Sequence, residues 1–212
     1  MRSVTVSVVL PTIPSRGMML ARAITSVTNQ TLPPDEVLVP VDYRGDGAGP
    51  TRNRASAAAS GDWLAFLDDD DQMCHSHLED LLDHAEDTGA DMVYPWFTTV
   101  GIEQSALRVP VNGELVSPEG VPFGDEQRDY VGRGPQGHGN NFIPITYLIR
   151  RELFMDLGGF PTTNTDEWPH PANEDWGFLI KLCASGARIE HLNERTWVWQ
   201  FHSGSTLGGG RA

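Results

Sequence analysis

The chain has 212 residues, 39% hydrophobic and 21% charged, enough for one large domain or two small ones with a sizeable core. Fifteen Lys and Arg against 29 Asp and Glu leave a formal charge of -14, a field that repels phosphate backbones and anionic lipid at long range. Cys74 and Cys183 lack C-x-x-C spacing, which argues against a disulfide framework or zinc knuckle and for a reducing, cytoplasmic setting, and no apolar run approaches the ~18 residues of a membrane span.

Residues 4–10 (VTVSVVL) are rich in β-branched side chains and stop at a Pro-Thr-Ile-Pro turn, which predicts a first strand, not a signal peptide. Apolar residues at helical intervals follow over 18–30. A second strand is expected over 36–41, then a loop dense in Gly, a helix over 51–60 and a third strand over 63–67. The spacing of Ser76 and Glu79 (SHLE) suggests a capping box opening a helix with Leu78, Leu81, Leu82 and Ala85 on one face, closed by Gly89. A fourth strand covers 91–96. Such alternation implies a mostly parallel sheet with helices on both faces, and in such sheets ligands bind at the carboxyl ends of the strands. From about 98 to 141 the periodicity fades, which suggests an irregular insertion or lid. Beyond it a strand is expected over 143–149 and a short helix over 151–157, stopped by Gly158-Gly159. A longer helix over 174–185 and two short strands over 188–192 and 196–202 precede a glycine-rich tail.

The third strand runs straight into four aspartates, WLAFLDDDD over 63–71. Like charges about 4 Å apart repel by roughly 1 kcal/mol in bulk water and by more where the dielectric is lower, so the cluster calls for a positive partner. If the chain stays extended, Asp68 and Asp70 share one side and Asp69 and Asp71 the other. Magnesium and manganese both accept such hard carboxylate ligands beside substrate phosphate oxygens. A solvated turn ahead of a helix is the plain alternative.

Several separated segments, in order, resemble the family 2 glycosyltransferases. VSVVLPTIPSR (6–16) is similar to the opening strand and nucleotide loop of that family, and VTNQTLPPDEVLVPVD (27–42) to its helix end and second strand. GPTRNRASAAASGDWLAFLDDDD (49–71) resembles the Arg-Asn helix and D-x-D motif. ITYLIRRELFMDLGGF (145–160) and NEDWGFLIKLCASGARI (173–189) resemble the acceptor-side helix with its GGF turn and the Glu-Asp helix.

The resemblance implies a GT-A fold: a Rossmann-like, mostly parallel central sheet flanked by helices, with a small acceptor-side subregion. One domain would cover 1–212, with 1–97 the nucleotide-sugar half and 98–212 the acceptor-binding and catalytic half. It further implies that Pro11, Thr12, Pro14 and Arg16 lie along the nucleotide, that Asp42 accepts from the base, and that Arg52 sits near the phosphates or the aspartates. Asp68 and Asp69 would contact the donor, and Asp70 would ligate Mn2+ or Mg2+ with His202. Asp175 would be the base that takes the acceptor's proton in an inverting transfer, Glu174 its nearer competitor, and Trp176 an acceptor contact. Trp197 and Trp199 could line the same pocket, although core packing suits at least two of the three. His75 and His77 read as an exposed helix start rather than a zinc pair.

The implied partner is a nucleotide-sugar donor, UDP-linked by family tendency. The acceptor stays open among glycan, small molecule, protein and modified nucleic acid, as does assembly into a homo-oligomer. Arg128, Arg133, Arg150 and Arg151 could form a local basic patch, and HGNN (138–141) could border the acceptor. No Q-x-x-R-W motif follows His202, which favours single sugar addition over processive synthesis. A sugar-nucleotide nucleotidyltransferase would need a glycine-rich basic phosphate loop, which LPTIPSR matches poorly. A non-catalytic nucleotide-sugar binder would take up UDP with manganese yet hydrolyse no donor.

Overall fold

The computed structural model describes residues 4–101, 109–116, 120–132, 143–162 and 174–202. β1 (Val6–Val9) pairs in parallel with β2 (Glu36–Leu38) on one side and β3 (Trp63–Phe66) on the other. β8 (Leu148–Arg150) is wedged antiparallel between β3 and β5 (Met92–Val100). β9 (Ile189–Gln200) runs parallel to β5, and the two-residue β4 (Gln72–Met73) closes the edge antiparallel to β9. The order β2-β1-β3-β8-β5-β9-β4 is thus mostly parallel, as expected, with β8 and β4 reversed.

Strand alternation divides the core between the two faces. Val6, Val8, Trp63 and Ala65 pack with α1 (Gly17–Thr28) and α3 (His77–Thr88). Val9, Leu64 and Phe66 pack on the other face with α2 (Ala48–Ala58), α5 (Arg151–Asp156) and α6 (Glu174–Ala184). There Phe154 and Phe160 each contact Phe66, Phe178 and one another, with ring centroids 4.9–5.4 Å apart. Such pairs add about 0.5–1.5 kcal/mol each beyond the area they bury, so this is a stiff floor beneath the carboxyl end of β3.

Several expectations change. Helix α2 starts at Ala48, ahead of the expected 51, because Pro50 falls in the first turn, where its missing N–H costs nothing. No capping box forms: the Ser76 hydroxyl donates to Asp80 Oδ2 at 2.6 Å, while the first-turn amide of Leu78 donates to Gln30 Oε1 at 3.0 Å. The cap comes from a residue 48 positions away. Of the expected 143–149 strand only Leu148 and Ile149 pair, in β8, which runs on to Arg150, although Ile143, Ile145 and Tyr147 are buried.

The two expected C-terminal strands are one strand. Leu192 pairs with Pro95 and Arg195 with Trp96, so Asn193 and Glu194 bulge out of the ladder and look like a break in the sequence. Pro95, which has no N–H to offer, sits at the same irregularity. The segment 98–141 is not wholly irregular either. β5 continues to Val100, β6 (Val109–Val111) and β7 (Glu114–Val116) form a hairpin, and α4 (Asp125–Gly132) packs on α6. The hairpin turns on Asn112-Gly113, both at positive φ, the pair that a two-residue turn of this kind prefers. Among the described residues no helix is long and apolar enough to cross a membrane.

Candidate active site

Beyond β1 and β2 the two chains stay zipped: Thr12 N donates to Pro40 O at 3.0 Å and Asp42 N to Thr12 O at 2.8 Å. Thr12 and Asp42 therefore arrive together at the carboxyl edge of the sheet. Pro11 is buried just before them, while Pro14 is exposed and opens a single 3-10 turn, Pro14–Arg16. The Asp42 carboxylate accepts from the amides of Gly45 (2.9 Å), Asp46 (3.1 Å) and Gly47 (2.9 Å). It organises its own loop, and those bonds, that from Gly47 foremost, hold its pKa below the ordinary value.

The four aspartates do not stay extended. Asp71 N donates to Asp68 O at 3.1 Å, so the chain turns and the expected two-by-two alternation is lost. Carboxylate oxygens of Asp68, Asp70 and Asp71 instead come within 4.8 Å of one another. Asp69 points away, 2% exposed, accepting from Thr12 Oγ1 at 2.6 Å and from Arg16 Nη1 at 2.7 Å. Arg16 Nη1 also reaches Asp70 Oδ2 at 3.2 Å, and His202 Nε2 meets the same oxygen at 3.0 Å. Asp71 is buried and accepts from the Gln200 amide at 2.8 Å, so the end of β9 closes onto the turn.

Burial first, and the charge of Asp68 next, push the pKa values of both Asp70 and Asp71 up. Three crowded hard oxygen donors, with the ionised forms of Asp70 and Asp71 disfavoured by their surroundings, match the demands of a Mg2+ or Mn2+ ion. The residues present fit such an ion. Asp71 was not among the expected site residues; its membership follows from the turn.

Arg52 ties this turn to the opposite wall. It is 3% exposed, donates through Nη2 to Asp68 Oδ1 and through Nη1 to Glu174 Oε1 at 2.8 Å, and rests over the Phe160 ring. Burial works against its charge, but Asp68 and Glu174 outweigh it and the pKa stands above the ordinary value. Helix α2 comes so near α6 that a Cβ on Gly49 would lie 2.8 Å from Glu174 Cγ. The next residue, Asn53, clamps the GGF turn, donating to Phe160 O at 2.8 Å and accepting from Phe160 N at 2.9 Å. Its role is invisible in the sequence, because its partner lies 107 positions away.

Glu174 and Asp175 occupy the first turn of α6. Asp175 Oδ1 accepts from the Trp176 amide at 2.7 Å, yet burial, with Glu174 second, pushes its pKa up to about 6. Of the two acids, Glu174 pairs with Arg52, and Asp175 is the one whose pKa burial carries toward the neutral range.

The remaining expected contacts are engaged elsewhere. The Trp176 indole N–H donates to Val131 O at 3.2 Å, fastening α4 to α6, and Trp197 and Trp199 join an aromatic patch with Trp96 and Phe97. His77 is fully buried against Thr196, its pKa pushed down to about 3 by burial, which corrects the picture of an exposed helix start. Arg128 donates to Cys183 O at the end of α6 and to Ala187 O just past it, Arg150 covers Trp63 and pairs with Asp91, and Arg151 donates to Gly61 O. Each described arginine of the supposed basic patch thus has a structural task; Arg133 and HGNN (138–141) lie outside the described residues.

Residues 41–157, more than half the chain and containing Asp42, Arg52 and the aspartate turn, match the family described as Glycosyl transferase family 2. The chain belongs to that family. It is 25% identical over 161 residues, 74% of its length, to an uncharacterized glycosyltransferase of Haemophilus influenzae, and spans about half (48%) of that relative. Its fold is similar to that of S. aureus TarS 1-349. The complex with UDP-GlcNAc aligns at TM-score 0.68 and 20% identity over 98% of this chain and 62% of that one. The complex with UDP gives 0.67 and 19% over 94% and 61%. At these identities the likeness shows the fold, GT-A, and nothing finer. The expected family and architecture are borne out.

Proposed function

We propose that the protein transfers a sugar from a UDP-sugar to an acceptor hydroxyl with inversion, Asp175 serving as base. The observation that carries this reading is the Arg52 bridge from Asp68 to Glu174, which ties the acidic turn at the carboxyl edge of the sheet to the first turn of α6, where the adjacent Asp175 has a raised pKa. In the reaction the acceptor oxygen bonds to the sugar's anomeric carbon, its proton passes to the Asp175 carboxylate, and the bond from that carbon to the diphosphate oxygen breaks. Asp68, Asp70, Asp71 and His202 would hold Mn2+ or Mg2+, which when bound supplies positive charge to the leaving diphosphate. Thr12 and Arg16 flank the nucleotide and fix Asp69, Asp42 shapes the loop at the base, and Arg52 keeps Glu174 from competing for the acceptor's proton.

The UDP and UDP-GlcNAc complexes of TarS support a UDP donor carrying a hexosyl or N-acetylhexosaminyl group. We assign donor binding to residues 1–97 and acceptor binding to 98–212 of a single domain, and the free thiols Cys74 and Cys183 support a cytoplasmic setting. Nucleotide release from a panel of nucleotide sugars, with Mn2+ or Mg2+ and candidate acceptors, tests the reading. Asp175→Asn should retain donor binding but lose transfer by at least ~100-fold, the size of a lost general base; near-normal turnover would refute the assignment.

A further inference from the structure

Building on the reading of Asp175 as the base, we infer that Tyr147 is a positioning residue for it: the Tyr147 hydroxyl and the Nε of Arg52 together hold one buried water that donates to the Asp175 carboxylate. The proposed reaction otherwise leaves this tyrosine unused.

Backbone pairing puts Tyr147 at the active edge of the sheet. The Phe66 amide donates to Tyr147 O at 3.4 Å, one step beyond the Ala65–Leu148 pair of the β3–β8 ladder, so the tyrosine lies across from the residue two places before Asp68. Its ring meets Phe66 edge-on at 5.4 Å and stacks on Phe178 at 6.5 Å. Phe178 follows Asp175 by three positions on α6, which sets the two on one face of that helix. Phe66 and Phe178 also touch Phe160, the ring under the Arg52 guanidinium. Tyrosine and arginine thus border the same aromatic group.

Both residues are buried, and each carries a polar atom with no partner among the described residues, Tyr147 Oη and Arg52 Nε. Buried polar groups are nearly always paired, and a polar pocket where several lack a partner is where an internal water lodges. The other two guanidinium nitrogens go to Asp68 and Glu174, so Nε is the one left to serve it. Burial pushes the Tyr147 pKa well above the ordinary value, and the charges of Arg52, Asp175 and Glu174 all act on it. The group therefore stays a neutral O–H, a donor. A water that accepts from Nε–H and from the phenol has its own hydrogens to give, and Asp175 is the acid whose charge the hydroxyl feels most. A carboxylate has about four acceptor sites, so this bond adds to those Asp175 already makes.

Such a bond favours the ionised acid. It works with the Trp176 amide and Arg52, and against burial, Glu174 and Asp68, which hold the carboxyl neutral.

The test is Tyr147→Phe, which keeps the ring and removes the hydroxyl, beside wild type and Asp175→Asn, all as the full chain without added metal. Carboxyl 13C spectra of aspartate-labelled protein give the Asp175 pKa, its signal identified by loss in Asp175→Asn. Tyr147→Phe should raise that pKa by at least ~0.5, the effect of a lost hydrogen bond to the ionised form. With metal, donor and acceptor supplied, the acid limb of nucleotide release should move up by the same amount while the donor KM stays unchanged. A hydroxyl that only fills space would move neither. An unchanged Asp175 pKa in Tyr147→Phe overturns the inference, and leaves the base reading standing if Asp175→Asn loses transfer. A raised pKa with an unmoved acid limb keeps the water link and overturns Asp175 as base.

Discussion

Replacing Arg52 with Met keeps an apolar stem over Phe160 and removes the charge between Asp68 and Glu174. Breaking a buried ion pair from one side costs about 3–5 kcal/mol, because the partner's charge is left without compensation. Here the acid side chains retain 34% and 26% exposure, so water recovers part of that cost. A loss of ~2–4 kcal/mol remains. For a chain of this size that corresponds to roughly 4–16 °C in Tm. Urea unfolding at pH 8 should show it as a lower midpoint with unchanged slope. A double-mutant cycle with Glu174→Gln should give a coupling of at least ~1 kcal/mol. Arg52 also helps hold the Asp175 pKa down, so its loss should move the acid limb of the rate profile upward from about pH 6. A loss below ~0.5 kcal/mol, the scale of ordinary surface substitutions, together with an additive cycle, would refute the bridge.

The same raised pKa makes Asp175 costly to ionise. The fold favours its neutral form, so wild-type stability should fall as pH rises from about 4 to about 6, and Asp175→Asn should be more stable at pH 8 by up to ~3 kcal/mol, a gain absent below pH 4. Unfolding curves at both pH values check it. Ser76→Ala should cost under ~0.5 kcal/mol, because no cap is lost, whereas Gln30→Ala should cost ~1–3 kcal/mol by leaving buried groups unpaired. Equal losses would contradict the cap assignment. Gly159→Ala places a Cβ 2.5 Å from Asn53 Oδ1 at a φ of 63°, so it should destabilise by more than ~1 kcal/mol and lower transfer by disturbing the GGF turn, measured by Tm and by nucleotide release.

The parts of the fold legible in the sequence were those written as local periodicity. Val6–Val9, Trp63–Phe66 and the Leu78, Leu81, Leu82 stripe each report their own burial. What failed depended on partners far away in the chain. Asn193-Glu194 looks like a terminator until β5 is laid beside it, and Ser76 looks like a cap until Gln30 arrives from the loop after α1. The Asn112-Gly113 hairpin carried a usable local sign that surrounding Gly and Pro obscured. At the site, the residue types pointed to metal and proton chemistry. The turn that gathers Asp71 with Asp68 and Asp70, and the arginine that assigns Glu174 and Asp175 different duties, required three dimensions.

The central claim is that the aspartate turn holds a divalent ion against the diphosphate of a nucleotide sugar. Calorimetric titration with a panel of UDP-sugars, in Mn2+ and again in chelator, addresses it most directly. The account predicts heat from at least one donor that disappears with the chelator and with Asp70→Asn. Equal donor binding in chelator, or by Asp70→Asn, would contradict it.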